Sequence, residues 1–222
     1  MEKFDLLLKV LSDLQDAGIL KHLVLVGSWC QDFYRYQFGN PPQIPATKTM
    51  DADILIPRRM PKVNPPVDIV AIMKKNDFIF EIGTTSGLYK FNHPMLKVEF
   101  LTDAGAKPEE VTRHFDQLGV NAQELHFMSL PLTYNYPLTY MNITFNIPEP
   151  EAFALHKLIV CRRRINKEKA EKDRLTAQGM FLFIQTDPKR VQRLHQIIGE
   201  QSKGWQKTIK NALEKTGLEL PQ

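Results

Sequence analysis

The sequence predicts an α+β protein, with a mixed β-sheet half over residues 1–147 and a C-terminal helical domain over residues 148–222. Three observations carry this expectation. Up to Ile147, short apolar runs of strand length alternate with amphipathic helical stretches. The composition changes at "IPEPEAF" (147–153), where Pro148 and Pro150 end a strand and start a helix, a first turn being a good place for proline. Beyond that point no stretch has strand character.

The elements follow in order. Residues 3–17 have apolar side chains at helical spacing, interrupted by charges. His22–Val26 is a short apolar strand. Gly27-Ser28 then opens a helix, "WCQDFYRYQF", with Ser28 and Gln31 spaced for a capping box. A proline-rich loop, "GNPPQIPATK", leads to "TMDADILIP", a strand that carries two aspartates. A helix is expected over 67–76. Strands are expected at Phe78–Ile82, Leu88–Phe91 and Leu96–Thr102, with "GTTSG" turning between the first two. Residues 108–118 read as a helix and "QELHFM" as extended. From Met141 to Ile147 apolar and polar residues alternate, as in a strand with one buried face. Helices then follow near 150–164, 167–186, 188–198 and 203–216.

A chain of 222 residues can bury a substantial core. Its formal charge of +4 is compatible with nucleotide or nucleic-acid partners without requiring them. Cys30 and Cys161 match no ligand spacing, and the amino terminus lacks the pattern of a signal peptide, so a reduced, cytoplasmic protein is expected. No apolar run reaches the roughly 18 residues of a membrane span. The six histidines form no zinc-binding pattern. Neither a Walker A loop nor a Gly-x-Ser-x-Gly elbow is present. The sequence carries no expectation for the oligomeric state.

Asp51 and Asp53 share one face of their strand, because strand side chains alternate. Neighbouring carboxylates repel and are tolerated where they face water or share a cation. In "MLKVEFLTD" a third acid, Glu99, sits on a separate strand with Val98 and Phe100 turned the other way. If the two strands are neighbours, three hard oxygen ligands converge. That donor set suits Mg²⁺, and two such ions suit an in-line phosphoryl displacement.

The order strand, Gly27-Ser28, helix, Asp51-Ala52-Asp53 and distal Glu99 resembles the DNA polymerase beta-like nucleotidyltransferase superfamily. The resemblance implies a nucleotidyltransferase core that moves a nucleoside monophosphate from a nucleoside triphosphate to an acceptor, RNA, protein or small molecule. It implies Asp51, Asp53 and Glu99 as catalytic residues and ligands of Mg²⁺, as two ions. It further implies that the turn at Gly27 and Ser28 cradles the phosphates, where a following helix offers free N–H groups. Downstream, "IPEPEAFALHKLIVCRRRINKEKAEKDRLTA" resembles bacterial nucleotidyltransferases related to abortive-infection and toxin–antitoxin transferases. By that resemblance Lys157, Arg164, Lys172 and Asp173 bind the nucleotide, with Lys157 on the triphosphate and Asp173 orienting basic groups. Lys157 and Arg164 are expected on one helical face. Thr47, with Lys48 beside it, stands where relatives carry arginine, and Ala52 is smaller than their Ile or Leu.

Each residue also has a plainer explanation. Asp51 and Asp53 fit the wet face of an edge strand, Ser28 a helix cap and Glu99 a surface partner of Lys97. Lys157 fits the surface of an amphipathic helix, and the run Arg162 to Arg164 a solvated helix end. The alternative function is a catalytically silent nucleotide- or RNA-binding module of the same fold. What favours the enzyme is that all these residues occur together and in order.

Overall fold

The structure is a computed structural model and describes residues 2–46, 49–105 and 112–222. In chain order its elements are α1 (Lys3–Asp16), β1 (Val24–Val26), α2 (Trp29–Gln37), β2 (Asp51–Leu55) and α3 (Ile69–Lys75). Strands β3 (Ile79–Ile82), β4 (Tyr89–Asn92), β5 (Lys97–Asp103), β6 (Thr112–Phe115) and β7 (Val120–Leu125) follow. Then come α4 (Ser129–Thr133), β8 (Asn135–Tyr140) and β9 (Ile143–Pro148). The chain ends in α5 (Pro150–Cys161), α6 (Lys167–Ile184), α7 (Pro188–Glu200) and α8 (Lys203–Thr216).

Two compact units form. The first comprises Met1–Cys30 and Lys48–Ile147, the second Gln31–Thr47 and Pro148–Gln222. The first is built on a mixed sheet in the order β3-β4-β5-β2-β1-β9-β8, with β7 pairing β5 and β6 pairing β7. β1 is antiparallel to β2 and parallel to β9, while β2 and β5 run parallel. All three residues of β1 are buried, as expected for a strand inside a sheet. One face of the central strands carries Leu25, Ala52, Ile54, Val98 and Phe100, all buried. On the other face Val24, Val26, Leu55 and Leu101 pack with Met128 into a second apolar cluster. Each fully buried Leu or Val contributes about 1.5–3 kcal/mol, so both faces hold the strand register firmly.

In the second unit α5 is buried almost all round, including Glu151, His156 and Lys157, and packs against α6, α7 and α8. Tyr34 of α2 donates its hydroxyl proton to the Pro148 carbonyl at 2.6 Å and meets Phe153 edge-on. Arg190 stacks 4.3 Å from the Phe38 ring centroid and bonds Glu151. Gly179 lets the loop around Pro45 lie on α6, since a Cβ there would stand 2.5 Å from the Gln43 carbonyl oxygen.

Three expectations need correction. Residues 112–115 form β6 and 116–118 a 3₁₀ turn rather than a helix, while 108–111 lie outside the described residues. Arg113 on β6 binds the buried Glu124 on β7 at 2.9 Å, so strand pairing and this half-buried ion pair override the helical pattern. β7 stops at Leu125, short of Met128. The helix expected over 150–164 ends at Cys161, and the exposed residues 162–166 form a turn before Asn166 caps α6.

Candidate active site

Asp51 and Asp53 lie on β2, and their registered partners on β5 are Lys97 and Glu99. Direct partners on neighbouring strands point to one side of a sheet, so all three carboxylates share a face. Further along β2 that same face carries Leu55, which is fully buried against Leu101 and Met128. The acids, by contrast, are half-buried. One face therefore changes along β2 from a covered apolar end to an accessible acidic end.

The glycine turn abuts the acidic end. Val26 is the registered partner of Asp53 across β1 and β2. Gly27 follows with φ of +77°, and a Cβ on it would collide with Oδ2 of the Asp53 carboxylate. Glycine is thus required twice, for its backbone angle and for the close approach. Thr49 steadies the start of β2, its hydroxyl accepting from the Asp51 N–H at 3.1 Å.

Glu99 is flanked by Asp53 on one side and by Lys90 of β4 on the other. Among the described residues its carboxylate makes no ion pair with Lys90 or Lys97. The acid pattern suits a hard cation, because adjacent strands about 4.8 Å apart bring three carboxylates within reach of one ion. The side chains are not gathered around such a position. Among the described residues no three His, Cys, Asp or Glu form a metal-holding group. The backbone register thus fits a metal site more closely than the side-chain placement does.

The second unit carries its own charged cluster. Lys157 Nζ donates to Asp173 Oδ1 at 2.7 Å, and Arg164 Nε donates to Asp173 Oδ2 at 2.9 Å. Only 6% of the Lys157 side chain and 5% of the Asp173 side chain are exposed. Burial alone would raise the Asp173 carboxyl, but Lys157 and Arg164 together hold it below its ordinary value. The Lys157 ammonium also lies 5.5 Å from the Phe153 ring centroid. Next to it, burial reinforced by the Lys157 charge pushes the His156 imidazole down to about 3.

Asp173 thus gathers Lys157 and Arg164. Arg164 reaches it from the turn after α5 and not from a shared helical face. Lys172, with Leu175, Pro45 and Ala46, lines a cleft of about 580 Å³. Thr47 and Lys48 lie outside the described residues. The burial of Lys157 and the contact with Phe153 were missed in the sequence. The signal available was that α5 is apolar on every side, which leaves a lysine no wet face.

The profile of a family described as Nucleotidyltransferase matches residues 6–198. The chain belongs to the nucleotidyltransferase family. It is a transferase, and its general reaction moves a nucleoside monophosphate from a nucleoside triphosphate. No curated protein sequence matches the chain. Among solved structures it is similar to an antigenic nucleotidyltransferase-like protein from Paracoccidioides brasiliensis. That crystal structure gives a TM-score of 0.50 at 12% identity, over 95% of this chain and 87% of that one. A solution structure of the antibiotic-resistance factor ANT(2'')-Ia gives a TM-score of 0.48 at 12% identity, over 98% of both chains. In this nucleotidyltransferase no helix among the described residues is long and apolar enough to cross a membrane.

Proposed function

We propose that the chain is a Mg²⁺-dependent nucleotidyltransferase with Asp51, Asp53 and Glu99 as its catalytic carboxylates. The observation that carries this reading is the registered pair Asp53–Glu99, with Asp51 on the same face and Gly27 packed against Asp53. Asp51 and Asp53 would hold Mg²⁺, joined by Glu99 on the side of the attacking oxygen. When bound, the metal neutralises phosphate charge and lowers the pKa of the acceptor hydroxyl.

The chain's own residues do the rest. Gly27 and Ser28 take the phosphates through backbone N–H groups and a hydroxyl at the start of α2. An acceptor oxygen bonds to the α-phosphorus as the α–β bridging bond breaks, and pyrophosphate leaves. Glu99 accepts the acceptor's proton. Lys157, Arg164, Lys172 and Asp173 are proposed as nucleotide-binding on the strength of their charge, with Asp173 fixing the first two. Residues 1–147 are thereby read as the catalytic core and residues 148–222 as the helical domain. The acceptor is a hydroxyl of RNA, protein or a small molecule.

Incubation with each α-labelled nucleoside triphosphate, Mg²⁺ and cell extract tests the reading. Label should pass to one class of macromolecule or metabolite, and chelation of Mg²⁺ should stop it. Tight nucleotide binding with no transfer from any of the four triphosphates overturns it in favour of a silent binding module.

A further inference from the structure

We propose that Lys3 is a positioning residue for nucleotidyl transfer, tying together the two chain segments that carry the carboxylates and the phosphate turn. The inference rests on the site assigned above. Lys3 Nζ donates to the Thr49 carbonyl at 3.1 Å and lies 5.5 Å from the Trp29 ring centroid. Thr49 leads directly into Asp51 and accepts its N–H through the side-chain hydroxyl. Trp29 opens α2 immediately after Ser28. One ammonium group therefore touches the segment just before the acids and the residue just after the turn.

Two further observations give this contact a purpose. Gly27 and Asp53 leave no slack, since a single added methyl would collide with the carboxylate. Small displacements of either segment are therefore felt at the reacting centre, where a misplacement of about 1 Å can cost roughly 100-fold in rate. Second, Trp29 is only 2% exposed, and its indole N–H finds no partner among the described residues. A phenylalanine would strand no donor, though its smaller ring would leave a gap in the core. Indole, however, is the best aromatic surface for a cation, and here it receives Lys3 on its ring while Phe4 packs at 5.9 Å. Phe4 also meets Tyr140 edge-on, which anchors the first turn of α1.

Lys3→Met keeps the stem and removes the charge. It should slow label transfer from the preferred α-labelled triphosphate about tenfold, and raise the Mg²⁺ concentration needed for half-maximal transfer several-fold. Lys3→Arg, which can both donate to Thr49 and stack on indole, should restore most of both. Trp29→Phe should shift the Mg²⁺ requirement the same way, with some loss of thermal stability because the smaller ring leaves a gap in the core. An unaltered Mg²⁺ requirement in Lys3→Met, or a loss that Lys3→Arg does not recover, overturns the inference. Asp53→Asn serves as the parallel arm. If it is inactive while Lys3→Met behaves as wild type, the role of Lys3 falls and the site stands. If Asp53→Asn still turns over, the site assignment fails and takes the role of Lys3 with it.

Discussion

Asp53 and Glu99 are registered partners on the parallel strands β2 and β5, although 46 positions separate them in sequence. Their pairing puts two acids side by side at the accessible end of a face whose far end is sealed by Leu55 and Leu101. Such an arrangement adds nothing to stability, because like charges opposite each other repel. Asp53→Asn removes one charge at constant shape. It should cut nucleotidyl transfer by about 1,000-fold, roughly 4 kcal/mol of barrier, while leaving the urea midpoint unchanged or raised. Glu99→Gln should behave alike in stability. A drop in the midpoint of both variants would mark the pair as structural.

Gly27→Ala should damage both stability and transfer. Alanine at φ of +77° is strained, and its Cβ would collide with the Asp53 carboxylate. Gly18 supplies the control, because it has a nearly equal φ of +75° and a methyl added there would meet nothing within 4 Å. Backbone strain alone costs about 1–2 kcal/mol, so Gly18→Ala should lose that much and keep full activity. Gly27→Ala should lose more and transfer at least tenfold more slowly. Equal losses at the two sites, with activity intact in both, would show that the contact with Asp53 has no functional weight.

The Lys157–Asp173 pair makes a prediction about stability that is separate from catalysis. Asp173→Asn strands a buried ammonium and should cost about 3–5 kcal/mol in chemical denaturation. Lys157→Met combined with Asp173→Leu should recover most of it, since both side chains are buried. Arg164, with its side chain 45% exposed, should contribute little to the difference. The pH dependence has a definite sign. The folded Asp173 carboxyl lies below its unfolded value, so its contribution is complete above about pH 4–5 and is lost as acid protonates it. Glu151 works in the opposite sense. Burial raises its carboxyl, so its contribution is complete below the unfolded value and fades as pH rises through the folded one.

Much of the second half was legible because its helix limits are written in single residues. Pro150 and Pro188 sit in first turns, and Asn166, Asp187 and Ser202 cap α6, α7 and α8 through their side chains. That Asp51, Asp53 and Glu99 fall on strands was legible for a similar reason, each being an acid among apolar strand neighbours. What could not be read locally was set by partners distant in sequence. Pro137 hid β8, because proline argues against a strand unless that strand lies at an edge, and β8 closes one end of the sheet order. Residues 112–115 form a strand only because β7 is there to pair with them. The assignment of 31–47 to the second unit depends on Tyr34 finding Pro148 and on Gly179 admitting the loop around Pro45. None of these has a signature within a few residues of itself.

His156 should govern the acid limb of the stability curve. Its ring is buried, Nε2 has no hydrogen-bond partner among the described residues, and the folded imidazole is pushed down to about 3 from an ordinary 6.5. A depressed value means that the unfolded chain takes up the proton first. The contribution of this residue is therefore complete above pH 6.5 and drains away as pH falls toward 3. Between pH 7.5 and pH 5 the unfolded state gains about 1.5 pH units of protonation, a loss of roughly 2 kcal/mol for the folded state. His156→Leu keeps an apolar side chain in the same place, removes the stranded nitrogen and abolishes that slope. Urea denaturation at pH 7.5 and pH 5 should show the wild type losing about 2 kcal/mol more than the variant between the two conditions. Parallel losses would mean that the imidazole takes its proton while still folded, which requires a charge partner inside the helical unit that Asp173, already shared by Lys157 and Arg164, is poorly placed to be.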